Sequence, residues 1–298
     1  MNKKKIVIIG SSGFVGSHLA HFFINDDFFI TQITNRSVGT NELYFDFQNP
    51  ISWNNIVESQ PDIIIDASGY GVVKTQVNVD LLYKINYLTK RDLIDYLFAQ
   101  LPNVFWIQIG TAFEYSLEIS SLTEESPCFP KTHYGISKCL FTNYLKEVIQ
   151  ERYCVVRPFG MFGEKEDITK FFPMLIMAQK TKTKVELSHG MQYRDYFYVK
   201  DLAYFLGYLI KNNSLKKLEN QIVNVGSGKP MSLKKISEFI ARSIPDFNGD
   251  YWNWGALPQR TNENDIFFNA STKAFLLGLN LTPLEDAFQS TVHHYFNS

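Results

Sequence analysis

Tyr134 and Lys138 stand four residues apart in "THYGISK", residues 132–138. On a helix, that spacing puts a phenol and an ammonium on one face, a turn apart. A free phenol titrates near ~10. A neighbouring cation stabilises the phenolate, so Lys138 is expected to lower the Tyr134 pKa. Such a phenol exchanges a proton with a carbonyl or an alcohol. The lysine's donors also suit a ribose hydroxyl. A third group should polarise the same oxygen. Thr111 in "WIQIGTAFEYS" supplies a hydroxyl just past an apolar run, with Tyr115 and Ser116 further into the loop. Taken singly, each residue also reads as ordinary helix-edge or loop polarity. Together they specify proton transfer beside a redox centre.

A place for that centre lies near the N-terminus. Gly10-Ser-Ser-Gly13-Phe-Val-Gly16 follows one apolar run and opens an amphipathic stretch. The first glycine permits a tight turn, the second a close approach to a pyrophosphate, and the third close packing of helix on strand. The helix N-terminus then faces the anion. Ser12, Phe14 and Val15 complete the loop. A carboxylate for the adenosine ribose is expected about 20 residues on, but "TNRS" at 34–37 holds none. Arg36, beside Asn35, offers a guanidinium fork suited to a 2′-phosphate. The cofactor expected is therefore NADP(H) over NAD(H), the plain alternative being a solvated loop arginine. Asp46 and Phe47 in "YFDF" are candidates beside the adenine. Ala67, Ser68 and Gly69 are candidates beside the cofactor's middle, and Pro158 and Phe159 complete the set.

The surrounding elements must hold these groups at one edge. "KIVIIG", "FFITQITN", "DIIIDAS", "VFWIQIG" and "YCVVRP" are apolar runs without alternation, separated by amphipathic stretches. That rhythm predicts a doubly wound α/β fold, a parallel sheet of the Rossmann kind covered on both faces. It breaks near residue 158, where "RPFGMFGEKED" begins a smaller C-terminal α+β lobe. Residues 1–158 are expected to form the dinucleotide-binding domain, with 193–212 returning to it. Residues 159–192 and 213–298 are expected to form the substrate lobe.

Bulk properties exclude several classes. The 298 residues carry a formal net charge of −1, so no basic surface points to nucleic acid and no charged tail to a membrane. Cys128, Cys139 and Cys154 form no C-x-x-C pair. This sparse, odd set fits reduced thiols in a cytoplasmic protein. His18 and His21 lack a third ligand nearby, so no metal is expected.

The order of "GSSGFVG", "GTAFEYS", "YGISK", "RPFGMFG", "QYRDYFYVKD" and "NVGSG" resembles that of the extended short-chain dehydrogenase/reductases, in particular the NAD-dependent epimerase/dehydratase group acting on nucleotide sugars. The resemblance covers nearly the whole chain. It implies Thr111, Tyr134 and Lys138 as catalytic residues, Asn86 as a positioning group, and a homodimer. It also implies that Arg194 and Arg260 grip a nucleotide diphosphate, as two guanidiniums suit that charge. Ala112 and Phe113 replace the Asp-Glu pair of dehydrating relatives, and Phe113 replaces the cysteine of 3,5-epimerising ones. Gly160 stands where many members have Asn. The tail is similar to that of reductases making deoxyhexoses for bacterial surface polysaccharide such as O-antigen. The activity implied is NADPH-dependent reduction of a dTDP- or CDP-linked 4-keto-6-deoxyhexose, with Ala112 and Phe113 against the sugar. Two alternatives are a C4-epimerase with tightly bound NAD and a non-catalytic NADP-sensing protein.

Overall fold

The apolar runs become parallel strands. The computed structural model describes residues 3–24, 28–34, 42–149, 151–258 and 265–297. From the N-terminus come β1 (Lys5–Ile9), α1 (Phe14–Ile24), β2 (Phe29–Thr34), β3 (Glu42–Tyr44), α2 (Asn54–Ser59) and β4 (Ile63–Asp66). Helix α3 (Val79–Tyr83) runs through a π-helical turn, Lys84–Leu88, into α4 (Thr89–Gln100), and β5 (Phe105–Ile109) follows. Next are β6 (Ser121–Leu122), α5 (His133–Val148), β7 (Tyr153–Pro158), β8 (Gly160–Phe162), α6 (Phe171–Thr181) and β9 (Val185–Leu187). The chain continues with β10 (Tyr193–Arg194), β11 (Tyr196–Tyr198), α7 (Val199–Lys211), β12 (Gln221–Val225), β13 (Met231–Ser232) and α8 (Leu233–Ser243). It closes with β14 (Trp252–Trp254), β15 (Ile266–Asn269), α9 (Lys273–Leu276) and α10 (Leu284–Asn297).

The main sheet has seven strands in the order β3-β2-β1-β4-β5-β7-β12, every pair parallel. Successive side chains point to opposite faces. Ile6, Ile8, Ile63 and Ile65 meet Leu19, Phe23, Phe205 and Leu206 of α1 and α7. Val7, Ile9 and Ile64 meet Leu93, Leu97, Phe141 and Leu145 of α4 and α5. Both faces are apolar, which is why the strands show no alternation in the sequence. Strand order reverses between β1 and β4, and a crevice opens beyond the carboxyl ends of strands at such a point.

The expected partition of the chain needs correction. Gln221–Val225, assigned above to the lobe, is the edge strand of the main sheet, paired with β7. Its Val223 and Val225 fill the same core as β1 and β4. Tyr193 and Arg194, expected to return to the large domain, instead pair with β13 and β15. The lobe has a four-stranded sheet, β13-β10-β15-β6. A second core forms where Phe162, Phe172, Ile236, Ile240 and Phe288 meet. Among the described residues, no helix is long and apolar enough to cross a membrane.

Glu164, just past β8, joins the two parts. Its Oε1 accepts hydrogen bonds from Tyr198, Lys200 and Ser290, each at 2.7 Å. Its Oε2 lies 3.6 Å from His18 Nε2 on α1. Burial pushes the carboxyl pKa up, but the bonds from His18, Lys200, Tyr198 and Ser290 outweigh it and hold the group well below its ordinary value. Glu164→Gln is therefore expected to cost about 3 kcal/mol in denaturant unfolding at pH 7. The contribution is fully present above the unfolded-state pKa and is lost as pH falls through the depressed folded-state value. The gap between wild type and variant should close in acid, and a gap independent of pH would refute the assignment.

Candidate active site

The glycine turn sits at the switch point. Gly10 follows β1 with φ +80°, and a Cβ there would lie 2.8 Å from the Ser68 backbone. A Cβ on Gly16 would lie 2.1 Å from the Gly10 carbonyl. Both positions therefore demand glycine on steric grounds. Ser11 Oγ donates to the Ile33 carbonyl and ties the turn to β2. Ser12 and Gly13 are exposed at the start of α1, and Phe14 and Val15 are half-buried. Among the described residues, a Cβ on Gly13 would meet nothing within 4 Å but the Gly10 carbonyl. The turn thus leaves an open approach to the N-terminal end of a helix, a cradle that fits a dinucleotide's pyrophosphate.

Asn35 and Arg36 lie outside the described residues, as does Arg260. Asp46 Oδ1 accepts the Gln48 N–H at 2.8 Å, closing a turn. The ring of Phe47 packs edge-on to Phe45.

On the other side of the crevice, α5 delivers Tyr134 and Lys138. Thr132 caps this helix, accepting the Gly135 N–H at 3.1 Å. A Cβ on Gly135 would lie 2.2 Å from the Phe113 carbonyl, so the helix seats directly on the Thr111–Phe113 turn. The Thr111 side chain lies near enough to the Tyr134 phenol to favour its ionised form. Lys138 is buried, and its Nζ donates to the Ile109 carbonyl at 2.9 Å and the Ser68 carbonyl at 3.2 Å. Asn86, buried in the π-helical turn, donates to Tyr70 O at 2.8 Å and Ser137 Oγ at 3.0 Å, and accepts from Tyr70 N at 2.9 Å. It braces the loop after β4 against α5. The structure therefore gathers Thr111, Tyr134, Lys138, Asn86, Ser68 and Gly69 around one place.

The electrostatics differ from the sequence expectation. The Tyr134 phenol is not acidified: burial pushes its pKa up, the Glu114 carboxylate pushes it further, and the Thr111 side chain opposes them only in part. Lys138 responds instead. Burial, then the nearby Lys90 ammonium, bring it down to about 7, against the opposing charges of Asp66 and Glu114. The site holds a protonated phenol beside an amine poised near neutrality.

Four charged residues around the triad escaped the sequence reading. Glu114 is fully buried and accepts the Thr111 N–H at 2.9 Å. It also accepts the Arg157 guanidinium at 3.0 and 2.8 Å. The T-x-x-E spacing of Thr111 and Glu114 is a capping box, a signal available from the sequence. So is Arg157, a charge inside the apolar "YCVVRP", which must find a partner. Asp66 and Lys90 form a second buried pair, and their separation along the chain gave no comparable signal.

The remaining candidates scatter around the rim. Phe113 is half-exposed and stacks on Phe267 at 5.9 Å, and Phe159 packs on the same ring at 5.5 Å. Ala112 and Pro158 are buried. Arg194 Nη1 donates to the Tyr193 carbonyl at 2.8 Å on the lobe sheet. Among the described residues, no cluster of His, Cys, Asp or Glu could hold a metal.

The model of the NAD dependent epimerase/dehydratase family matches residues 6–226. CDP-abequose synthase from Salmonella muenchen is 24% identical over 274 residues, covering 87% of each chain. UDP-glucose 4-epimerase from Corynebacterium glutamicum is 24% identical over 263 residues, covering 78% of each. UDP-N-acetylglucosamine 4-epimerase from Methanobrevibacter ruminantium, solved with UDP-N-acetylmuramic acid, superposes with a TM-score of 0.85 at 20% identity, over 100% of this chain and 99% of that one. With the glycine turn, the Thr-Tyr-Lys constellation and the seven-stranded parallel sheet in place, the chain belongs to the NAD-dependent epimerase/dehydratase family.

Proposed function

We propose that this chain reduces the 4-keto group of a nucleotide-linked 4-keto-6-deoxyhexose, dTDP- or CDP-linked, with NADPH. The observation that carries the reading is the convergence of Tyr134 and Thr111, where α5 seats on the Thr111–Phe113 turn, backed by a buried Lys138. A reduction consumes a proton at the oxygen, and a phenol with a raised pKa arrives at the reaction carrying it. When bound, a dihydronicotinamide would supply the hydride to the carbonyl carbon. Tyr134 gives its phenolic proton to the oxygen, and the Thr111 hydroxyl holds that oxygen in place. The Lys138 ammonium stabilises the phenolate left behind. Backbone N–H groups at the start of α1 would hold the pyrophosphate. Ala112 and Phe113 leave no acid–base pair for dehydration next to Thr111.

The abequose synthase relative supports a surface-polysaccharide role, and the epimerase relatives favour a C4-epimerase as the second reading. Epimerisation would need Tyr134 as base and acid in turn, whereas reduction uses it only as an acid. The choice of NADPH rests on Arg36 and the missing carboxylate after β2.

Three outcomes follow from this reading. In an assay of NADPH oxidation with dTDP- and CDP-4-keto-6-deoxyhexoses, Tyr134→Phe should lower kcat about 10³-fold. Unchanged turnover would remove the phenol from the mechanism. The rate of reduction should fall as pH rises through about 7, because Lys138 loses the charge that supports the developing phenolate. A rate that rises across that window contradicts the assigned role. Finally, NADPH should bind more tightly than NADH, and Arg36→Ala should erase the preference by about tenfold or more. Tighter binding of NADH to the wild type would discard the NADP assignment.

A further inference from the structure

Two lysines converge on one carbonyl. Lys138 Nζ donates to Ser68 O at 3.2 Å, and Lys90 Nζ donates to the same oxygen at 3.0 Å. Lys90 lies four residues after Asn86, so both side chains leave one helix face toward the loop after β4. Its Nζ also sits 2.5 Å from Asp66 Oδ2 at the end of β4, and both residues are fully buried. The other Asp66 oxygen accepts Ser68 N at 2.9 Å and Ser68 Oγ at 2.5 Å. The carboxylate thus folds the loop back on itself and aims the Ser68 carbonyl at the two ammoniums. The rings of Phe47 and Phe141 lie 5.9 and 5.7 Å from Lys90 Nζ and wall it with apolar surface.

Stability alone is a poor reason for this pair. Burying two charges costs several kcal/mol per ion, and apolar residues of similar volume often replace such pairs without loss. We propose that Asp66 and Lys90 are positioning residues for the catalytic lysine: they fix the Ser68 carbonyl on which Lys138 is moored and set a second cation behind its ammonium. The proposal rests on the reading of Lys138 as catalytic. It asks nothing of the substrate.

The groups facing Lys138 come from every neighbouring element. Lys90 approaches from α4, Asp66 from β4, Glu114 from the turn after β5, and Tyr134 lies one turn back on α5. Of these, Lys90 disfavours the Lys138 charge, while Asp66 and Glu114 favour it. Asp66 itself is pushed up by burial, but the ammoniums of Lys90 and Lys138 outweigh that and hold it below its ordinary value. The two members of the pair therefore act on Lys138 in opposite senses. Disrupted packing alone would move the Lys138 midpoint the same way in both variants, so opposite shifts report the charges and not a collapse of the site.

The test is an NMR titration of the chain carrying ¹³C-labelled lysine, with the Lys138 signal identified through Lys138→Met. Asp66→Asn should lower the Lys138 midpoint and Lys90→Met should raise it, each by about one pH unit. The upper limb of the pH–rate profile should move the same way. Midpoints that stay put, or that shift together in one direction, overturn the proposal. If a single variant does not fold, the double variant Asp66→Asn, Lys90→Met buries neither charge and takes its place. Its midpoint should rise, because Lys90 exerts the larger influence, and an unmoved midpoint again refutes the idea. The titration needs no substrate, so a failure of the reductase reading would show separately, as absence of NADPH oxidation by the wild type.

Discussion

A single buried cation organises the reactive end of this molecule. Lys138 has given up water for two backbone carbonyls, those of Ile109 and Ser68, which project from the ends of β5 and β4. An ammonium in such a place is unstable unless its surroundings compensate. Carbonyl dipoles and the carboxylates of Asp66 and Glu114 do so in part. Each carboxylate needs its own counter-ion, and Lys90 and Arg157 fill those roles. The polar interior at this edge of the sheet is thus a chain of mutual requirements that starts at one amine.

The same requirements explain the local backbone. Gly110 leaves room for Glu114, because a Cβ there would lie 2.4 Å from its Oε1. Gly135 lets α5 approach until Tyr134 reaches Thr111. Asn86, held in a π-helical turn, ties the β4 loop to α5 from the side. Close backbone approaches and one buried amide therefore fix the distance between the phenol and the strand ends.

Much of this was legible in the sequence. Unbroken Ile and Val runs announce strands buried on both faces, and the seven-stranded sheet follows that pattern. The glycine spacing and Tyr134-x-x-x-Lys138 are local signals, and Thr111 was legible from its place just past an apolar run, before the motif order supported it. What the sequence hid depends on long-range pairing. Asp66 and Lys90 are 24 positions apart, so neither helix nor strand periodicity links them. The strand Gln221–Val225 reads like any short apolar strand, and its place beside β7 is set by the core beneath it. The direction of the Tyr134 shift was missed for a related reason. The spacing displays the nearby cation, but burial and the opposing carboxylate of Glu114 decide the balance.

The backbones of Gly10 and Ser68 pass each other with no side chain between them, close enough that even a methyl group on the glycine would collide. The anion-facing turn and the peptide that moors the amine are therefore one mechanical unit. A side chain added at the glycine would therefore push aside the very carbonyl on which the Lys138 amine rests, and the damage would spread from one strand end to the next.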